Sequence, residues 1–398
     1  MTMPSDDLAA ARELLRPVAD VDALSDEAIR ERRALLEWNA VAEPGDGVAG
    51  ALIAAVGAHE ALHVAHDRGL LRHEIEGIPA DALRDALARW QPRLKAASAV
   101  EALRAAARVG ARMLTAADAE WPPGATLLSA HAPLCLWVRG DASLLAQPTP
   151  AVAIVGARAA TGYGEHVAME LAAALAADGT RIVSGAAYGI DGCAHRAALH
   201  VDGRTIAFLA GGVDRPYPAG HAELIGRIVA HGAVVSEVPC GTAPTKWRFL
   251  ARNRTIAAVS DAVVVVEAGW RSGSLNTAAH ASQLGIPLGA VPGPITSAAS
   301  TGCHRLLREH DARCITGVDD VRELLGGAGA QHPSPDGAAA ALTRVADALS
   351  RRVDLTPDEI AARAGMDPAD VREALLTLQL SGVAEPAGNG WRRLTARR

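Results

Sequence analysis

Lysine and phenylalanine are almost missing from this sequence. Its 398 residues include lysine only at Lys95 and Lys246, and phenylalanine only at Phe208 and Phe249. Arginine carries most of the positive charge, and the formal net charge is −6. A chain that is acidic overall is not a uniformly basic nucleic-acid-binding protein. Any site for a polyanion must therefore be a local patch.

Cysteine pairs with metal-ligand spacing and long apolar runs are also absent. The five cysteines are Cys135, Cys193, Cys240, Cys303 and Cys314. Their odd number and scattered positions favour reduced thiols in the cytosol and no metal site. No apolar run reaches membrane-spanning length. The N-terminal residues lack the basic and apolar regions of a signal peptide. We expect a soluble, cytoplasmic protein that does not contact a membrane.

The stretch from residue 245 to residue 278 is the most informative part of the chain. It opens with the cations Lys246, Arg248, Arg252 and Arg254, and no acid lies among them. The aromatic residues Trp247 and Phe249 lie between those cations. A run of four valines and a Gly/Ser turn follow, before an alanine-rich helical segment. Cations interleaved with aromatic rings indicate a site for a polyanion with flat bases, which is single-stranded nucleic acid.

Strand-like and helical patterns alternate from residue 152 to residue 325. Apolar runs predict strands over 151–155, 181–184, 204–209, 233–236, 262–267 and 286–291. Helical patterns occupy 163–177, 190–200, 220–231, 249–258 and 273–284. This alternation predicts a doubly wound parallel sheet with helices on both faces. Ligands of such sheets bind beyond the carboxyl ends of the strands.

The first loop at that edge contains Gly156 and Arg158 and leads into a helix. Its amides are candidates for cradling a phosphate at the helix N-terminus. The loop is not the Gly-x-Gly-x-x-Gly fingerprint, and the next strand ends without an acid for a ribose. Both facts argue against NAD. The lysine of a P-loop is missing as well, so we expect no nucleotide cofactor. Tight turns remain an alternative explanation for the glycines.

Two further loops carry small residues at a helix start. In the second loop, Ser184, Gly185 and Gly189 are candidates for backbone contacts to a phosphate, and Asp191 is a candidate helix cap. After the valine run, hydroxyls and amides meet again at a predicted helix start, and capping alone is the alternative there. The residues of this later loop are Ser272, Gly273, Ser274 and Thr277.

The regions on either side of the α/β pattern are different in character. Residues 5–108 are mostly helical, and the turn from Glu43 to Gly47 is similar to that of a helix-hairpin-helix. That turn carries two acids and no cation, so helix packing and DNA contact both stay open. The run 134–138 predicts an edge strand. Residues 326–337 are rich in Gly, Pro and Ser, which is typical of a linker.

The C-terminal residues predict three short helices and a hairpin with a Gly-Asn-Gly turn, which together make a winged helix. The segment 367–380 offers Arg372 against three acids, Asp367, Asp370 and Glu373. A protein contact or a weak DNA contact is therefore the main interpretation, and duplex recognition is the alternative.

Several of these motifs, in this order, resemble the DprA family, also called Smf. They are Val152–Arg158, Ser184–Asp191, Ala194–Arg196, Gly203–Ala207, Arg252–Arg254, Glu267, Ser272–Ser274, Thr277 and Val291–Pro294. The resemblance covers residues 106–325. It implies an extended Rossmann domain there, a helical SAM-like domain over 1–105, a linker over 326–338 and a winged-helix domain over 339–398.

The resemblance also implies a function. Members bind and protect single-stranded DNA and help to load the RecA recombinase in natural transformation. They form homodimers and are not known as enzymes. The phosphate-binding arginine of the family corresponds to Arg158, and its basic segment to Lys246, Phe249, Arg252 and Arg254, with Asn253 between the arginines. Two departures are Ala157, where serine is usual, and Tyr188, where arginine is frequent.

Two other classes of protein stay open at this point. A Rossmann enzyme that hydrolyses N-glycosidic bonds would use a Pro-Gly-Gly-x-Gly-Thr-x-x-Glu motif, and Glu267 followed by Ser272–Ser274 is not that motif. A transcription regulator would use the winged helix. Binding without turnover separates the DNA-binding interpretation from the enzyme, and preference for single strands separates it from the regulator.

Overall fold

The computed structural model describes residues 7–66, 77–94, 96–326 and 337–394. The chain divides into two compact units, Met1–Ala328 and Gly329–Arg398. Residues 327–336 make up most of the predicted linker and lie outside the described residues. Lys95 lies outside them as well. The predicted boundary between residues 105 and 106 falls inside the first unit and stays a prediction.

The first unit is built on a nine-stranded sheet in the order β1-β2-β6-β5-β4-β3-β7-β8-β9. The strands are β1 Arg112–Leu114, β2 Leu136–Gly140, β3 Ala151–Gly156, β4 Arg181–Ser184, β5 Thr205–Leu209, β6 Ala233–Ser236, β7 Ala262–Glu267, β8 Leu288–Ala290 and β9 Arg313–Cys314. All pairs from β6 through β3 to β9 are parallel, whereas β1 and β2 join antiparallel. The predicted α/β fold class with a doubly wound sheet is confirmed.

Helices cover both faces of this sheet. They are α7 Gly162–Ala177, α8 Ile190–His200, α9 Ala222–His231, α10 Lys246–Ala258, α11 Ser274–Gln283, α12 Thr301–Glu309 and α13 Val318–Leu324. The strand β7 is buried along its whole length. Val263 and Val265 pack into the core beneath α10, α11 and α12, whereas Val264 and Val266 pack into the core beneath α7 and α8. A strand buried on both faces explains the continuous valine run.

The sheet order reverses between β3 and β7, because β3 to β6 extend in one direction and β7 to β9 in the other. The loops that follow β3 and β7 therefore diverge at the carboxyl edge and leave a crevice between them, which is the usual ligand position of such sheets. The strand predicted at 134–138 forms as β2, but the prediction that it lies at the edge is wrong. The three residues of β1 add outside it.

In the described residues before the sheet, the structure has six α-helices. They are α1 Leu8–Leu15, α2 Asp26–Val41, α3 Gly47–Val56, α4 Ala58–His66, α5 Ala80–Trp90 and α6 Ala96–Arg108. Asp46 in the turn before α3 accepts hydrogen bonds from the amides of Val48 and Ala49. The same turn packs against α10, since a Cβ on Gly45 would lie 2.7 Å from Nε of Arg254. This contact supports the packing interpretation of the 43–47 turn.

Among the described residues no single helix is long and apolar enough to cross a membrane. The pair formed by α3 and α4 passes on length and composition, but the two helices meet at an angle of 117°.

The second unit has its own core and consists of three helices and a hairpin, as predicted. The elements are α14 Gly337–Ala348, α15 Pro357–Ala364, α16 Pro368–Leu380, β10 Ala384–Ala387 and β11 Gly390–Arg393. Thr356 and Glu359 form a capping box at the start of α15, with Pro357 in the first helical turn. Val345, Ile360 and Leu375 are among the residues that fill the core.

Candidate nucleic-acid interface

A cavity of about 740 Å³ lies at the reversal point of the sheet, between the loop after β3, the N-terminal half of α10 and the loop after β7. We call it the switch-point cavity. Most of the predicted site residues line it together, and these are Gly156, Arg158, Lys246, Phe249, Arg252, Asn253, Ser272, Gly273, Ser274 and Thr277. Its volume falls within the usual range of ligand pockets.

Four cations face this cavity. Arg158, Lys246 and Arg271 are exposed at its rim, and Arg252 is buried at its floor. Arg271 was not among the predicted contacts, although its position directly before Ser272 was a usable signal. Tyr217, from the loop after β5, was also missed as a contact. Within the described part of the chain, Asp191 is the one acid among the lining residues, and it is buried.

The backbone holds the Arg252 guanidinium in place. Its Nη1 donates to the carbonyl oxygens of Gly185 at 2.8 Å and Phe208 at 2.5 Å. Its Nε donates to Oδ1 of Asn253 at 3.1 Å. Burial lowers the pKa of Arg252 to about 10, although the charge of Asp191 opposes this change. Arg252 is therefore still protonated at neutral pH and supplies a fixed positive charge.

Asp191 does not cap the N-terminus of α8. The helix starts at Ile190, and Asp191 Oδ2 accepts hydrogen bonds from the amides of Gly185 at 3.2 Å and Ala187 at 3.4 Å. Burial raises the pKa of this carboxyl group, and the charge of Arg252 opposes that change. The amide of Gly185, predicted to approach a phosphate, is thus already bonded inside the protein.

Phe249 lies in the cavity wall and is half-buried. The guanidinium carbon of Arg158 lies 4.6 Å from its ring centroid, and that of Arg252 lies 5.7 Å away. The ring of Tyr217 contacts it at a centroid distance of 5.6 Å and an interplanar angle of 57°. Phe249 is therefore neither a core residue nor a freely exposed ring. It joins two cations and a second aromatic ring in one cluster through cation–π contacts.

Two helix N-termini reach the cavity. α11 begins at Ser274, whose amide donates to the Ser272 hydroxyl oxygen at 3.4 Å, and Ser272, Ser274 and Thr277 all line the cavity. α10 begins at Lys246, with Thr245 as its cap. The positive end of each helix dipole adds to the four cations, and such ends favour anions. Asn253 links the two helices, because its Nδ2 donates to the Gly273 carbonyl at 3.3 Å.

The N-terminus of α7, in contrast, is already filled by a carboxylate. Glu267 is 2% exposed, and its Oε2 accepts a hydrogen bond from the Thr161 amide at 2.8 Å. Its Oε1 accepts one from the Thr161 hydroxyl at 2.8 Å. A Cβ on Gly164 would lie 2.5 Å from Oε2, so the glycine makes room for this carboxylate. The expectation that the amides at this helix start cradle a phosphate is therefore wrong. In this loop, Arg158 and the other residues that line the cavity are the parts that can contact an anion.

Several predicted contacts lie outside the cavity lining. Ser184 is fully buried and donates its hydroxyl to the Ile154 carbonyl at 2.7 Å. Gly189 has a φ of 74°, and a Cβ there would lie 2.2 Å from the Ala157 carbonyl oxygen. This glycine lets the second loop pack against the first. Tyr188 packs edge-on against His221 at 4.8 Å and does not line the cavity either.

Of the four cations between Lys246 and Arg254, two are paired with carboxylates. Arg254 is buried and donates to Glu237 through Nη2 at 2.7 Å and Nη1 at 2.9 Å. Arg248 donates to both carboxylate oxygens of Glu43 at 2.9 Å. Arg254, which was predicted to contact DNA, does not line the cavity. A helix distributes them over different faces, and Arg254 in particular faces the sheet.

Metal binding has no support in the part of the chain that the structure describes, where no group of three or more His, Cys, Asp or Glu side chains could hold an ion.

Comparison with known proteins gives matches over most of the chain. The family described as DNA recombination-mediator protein A matches residues 112–326, and the DprA winged helix domain matches residues 329–390. The putative DNA processing protein DprA of Mycobacterium tuberculosis is 49% identical over 306 residues, which are 73% of this chain and 78% of that protein. Protein Smf of Escherichia coli K12 is 37% identical over 291 residues, which are 71% and 77% of the two chains.

The solved structures include a similar molecule. The X-ray structure of DNA processing protein A from Streptococcus pneumoniae has a TM-score of 0.59 and 28% sequence identity with this chain. The match covers 74% of this chain and 97% of that one.

Proposed function

Since the chain belongs to the DNA recombination-mediator protein A family of DNA processing proteins, also named DprA and Smf, we propose that it binds single-stranded DNA in the switch-point cavity. We further propose that it protects incoming DNA and helps to load the RecA recombinase during natural transformation or DNA recombination. In this proposal it acts in the cytoplasm as a homodimer and is not an enzyme.

One observation carries the DNA-binding part. Arg158, Phe249 and Arg252 form a cation–π cluster in the wall of a cavity that the N-terminus of α11 also reaches. Cations and a helix N-terminus bind phosphate, and an aromatic ring with an adjacent guanidinium binds the flat face of a base. A base can reach a cavity wall only when it is unpaired and unstacked. The combination therefore favours a single strand over a duplex.

Among the described residues that line the cavity, none offers the enzyme alternative a free carboxylate. Glu267, its leading candidate, is turned away from the cavity and bonded to Thr161. Asp191 accepts two amide hydrogen bonds and lies near the charge of Arg252. The two acids are committed to holding loops, and a general base needs a carboxylate within reach of the substrate.

If the protein were a transcription regulator, α16 would be the helix that recognises duplex DNA. Its exposed residues include Asp370, Glu373, Leu376 and Leu380, and the arginine on it, Arg372, approaches Asp358 at 3.6 Å. Acidic and apolar side chains do not match a phosphate backbone. This surface favours a protein contact over the reading of duplex DNA.

A mobility-shift titration tests the central proposal. Single-stranded and duplex oligonucleotides of equal length are bound to the full chain at several salt concentrations, and the oligonucleotides are recovered and analysed for cleavage or base loss. We expect preference for the single strand, no turnover, and an affinity that falls steeply with salt, with a slope of about 0.7 for each phosphate neutralised on a single strand. A flat salt dependence or equal binding of the duplex would contradict the proposal.

RecA loading needs its own measurement. The rate of RecA filament formation on a single strand is compared with and without the full chain, and with its Arg158→Ala variant. We expect the wild type to accelerate filament formation and the variant to do so only at higher concentration. Sedimentation of the protein alone tests the homodimer.

A further inference from the structure

The two most exposed tryptophans of this chain lie next in sequence to residues that line the switch-point cavity. The chain has seven tryptophans, all within the described residues, and five of them are buried or partly buried, namely Trp38, Trp90, Trp121, Trp137 and Trp391. The other two are Trp247 and Trp270, with exposed fractions of 78% and 60%. Large exposed aromatic side chains that cluster at one place mark a binding surface.

Both exposed tryptophans adjoin residues that line the cavity. Trp247 lies in the first turn of α10, directly after Lys246. Trp270 lies in the loop after β7 between Gly269 and Arg271, and both of these neighbours line the cavity. The two indoles therefore belong to two different segments of the rim, and each is adjacent to an exposed cation.

The Trp270 ring has a cation–π contact with an arginine. The guanidinium carbon of Arg305, on α12, lies 5.3 Å from the ring centroid. Arg305 is itself held by Glu309, whose Oε2 accepts from Arg305 Nε at 3.0 Å. A cation on one side orients the indole while most of the side chain stays open to solvent. Phe249 and Arg158 pair in the same way within the cavity.

We propose that Trp270 is a base-stacking platform outside the cavity, and that Trp247 is its counterpart on the α10 segment of the rim. The ligand is the unpaired bases that flank the nucleotide in the cavity, and Arg271 and Lys246 contact the phosphates between them. Stacking on an aromatic face tolerates any base, so these positions extend the site without adding sequence preference. This inference rests on the proposed function. It concerns the length of single-stranded DNA that contacts the protein.

A length series of single-stranded oligonucleotides tests it. Trp270→Ala should reduce the affinity for a long oligonucleotide by roughly 5-fold to 100-fold, which corresponds to one stacked base. The shortest oligonucleotide that still binds wild type should lose little affinity, because it fills the cavity alone. Trp270→Phe should retain most of the affinity for the long oligonucleotide, and the salt slope should stay unchanged in both variants.

Ile295→Ala is the matched control. Ile295 is 91% exposed and aliphatic, so it offers apolar surface without a ring. Its substitution should leave binding at every length as in wild type. If Trp270→Ala binds all lengths like wild type, or loses affinity equally at all lengths, Trp270 is not a flanking platform. If wild type binds no single strand at all, the proposed function fails instead, and the two failures are thus distinguishable.

Discussion

The two faces of α10 use arginine in opposite ways. On the face toward the sheet, Arg254 is paired with Glu237 through two hydrogen bonds and is closed off from solvent. On the face toward the cavity, Arg252 is equally buried but bonds to backbone carbonyls and to Asn253. Arg254 is hydrogen-bonded to a partner carboxylate, whereas Arg252 lines the cavity, is bonded to backbone and amide oxygens, and lies near the charge of Asp191.

The same contrast holds at the exposed start of the helix. Arg248 is paired with Glu43 of the N-terminal helical region, whereas no salt bridge within 4 Å joins Lys246 to another described residue. A count of cations in a stretch of sequence therefore overestimates the charge that is available to a ligand. What decides the role of each cation is the presence of an acid opposite it.

Arg254→Ala should have the largest effect, and on stability. It leaves the buried Glu237 carboxylate without its partner, and removing one member of a buried pair costs about 3 to 5 kcal/mol. Chemical unfolding measures this loss, while binding by the folded protein should be unchanged because Arg254 does not line the cavity. If Arg254→Ala instead weakened DNA binding at unchanged stability, the two faces of α10 would not differ as described.

Arg158→Ala should come next, with an effect on affinity alone. The side chain is exposed, and losing a charge-assisted phosphate contact costs about 1.5 to 3 kcal/mol. Mobility shift measures the affinity and thermal unfolding verifies the fold. The control is Arg227→Ala, which removes an exposed arginine from α9, away from the cavity. Equal affinities for these two variants would exclude Arg158 as the anion contact.

Phe249→Ala should reduce single-strand affinity by roughly 1 to 3 kcal/mol if its ring stacks a base. The salt slope should stay nearly intact, since no phosphate contact is lost. Stability should fall by less than the ~3 to 5 kcal/mol that is typical of a fully buried phenylalanine, because the ring is half-buried. Unfolding and binding measured on one preparation separate the two roles, and Phe249→Leu preserves apolar volume without a ring. If Phe249→Ala unfolds easily but binds normally, Phe249 is not the residue that stacks a base.

The smallest effect compares Lys246, which is exposed, with Arg248, which is partly buried, in the first turn of α10. Lys246→Ala should lower the salt slope by about 0.7, the contribution of one phosphate on a single strand. Arg248→Ala should leave the slope unchanged because Glu43 already neutralises that charge. Salt titrations of both variants with one oligonucleotide make the comparison. Equal slopes for the two variants would show that Glu43 releases Arg248 to the DNA.

The sequence predicted the strands and helices of the sheet better than the side-chain contacts at the candidate site. Valine runs and glycine breaks are local signals, and they predicted the strands and helices of the sheet closely. Glu237, the partner of Arg254, directly follows β6. Glu267, the partner of Thr161, is the last residue of β7. Such contacts depend on the order of strands in the sheet. Spacing along the chain therefore could not distinguish a cation in a buried pair from one that faces a cavity.

The resemblance to the family indicated Arg158 and Phe249 as DNA contacts, and the structure brings both into the lining of one cavity although they are distant in sequence. It could not give the cation–π contact between them, because ring exposure depends on packing around Tyr217. Arg271 and Trp270 were overlooked for a related reason. Both lie in a loop without regular periodicity, where the direction of a side chain is set by tertiary contacts.

The carboxylate of Glu267 also affects which small molecules the fold accepts. A Rossmann sheet commonly receives the pyrophosphate of a dinucleotide at the start of the helix after its first strand. In this chain the helix α7 starts at that place, and Glu267 is bonded there to Thr161. An incoming pyrophosphate would have to displace this side chain or lie beside a like charge in a site shielded from water, and both are unfavourable. We therefore expect free dinucleotides to compete poorly for this edge of the sheet, so that the proposed binding of nucleic acid can proceed in their presence.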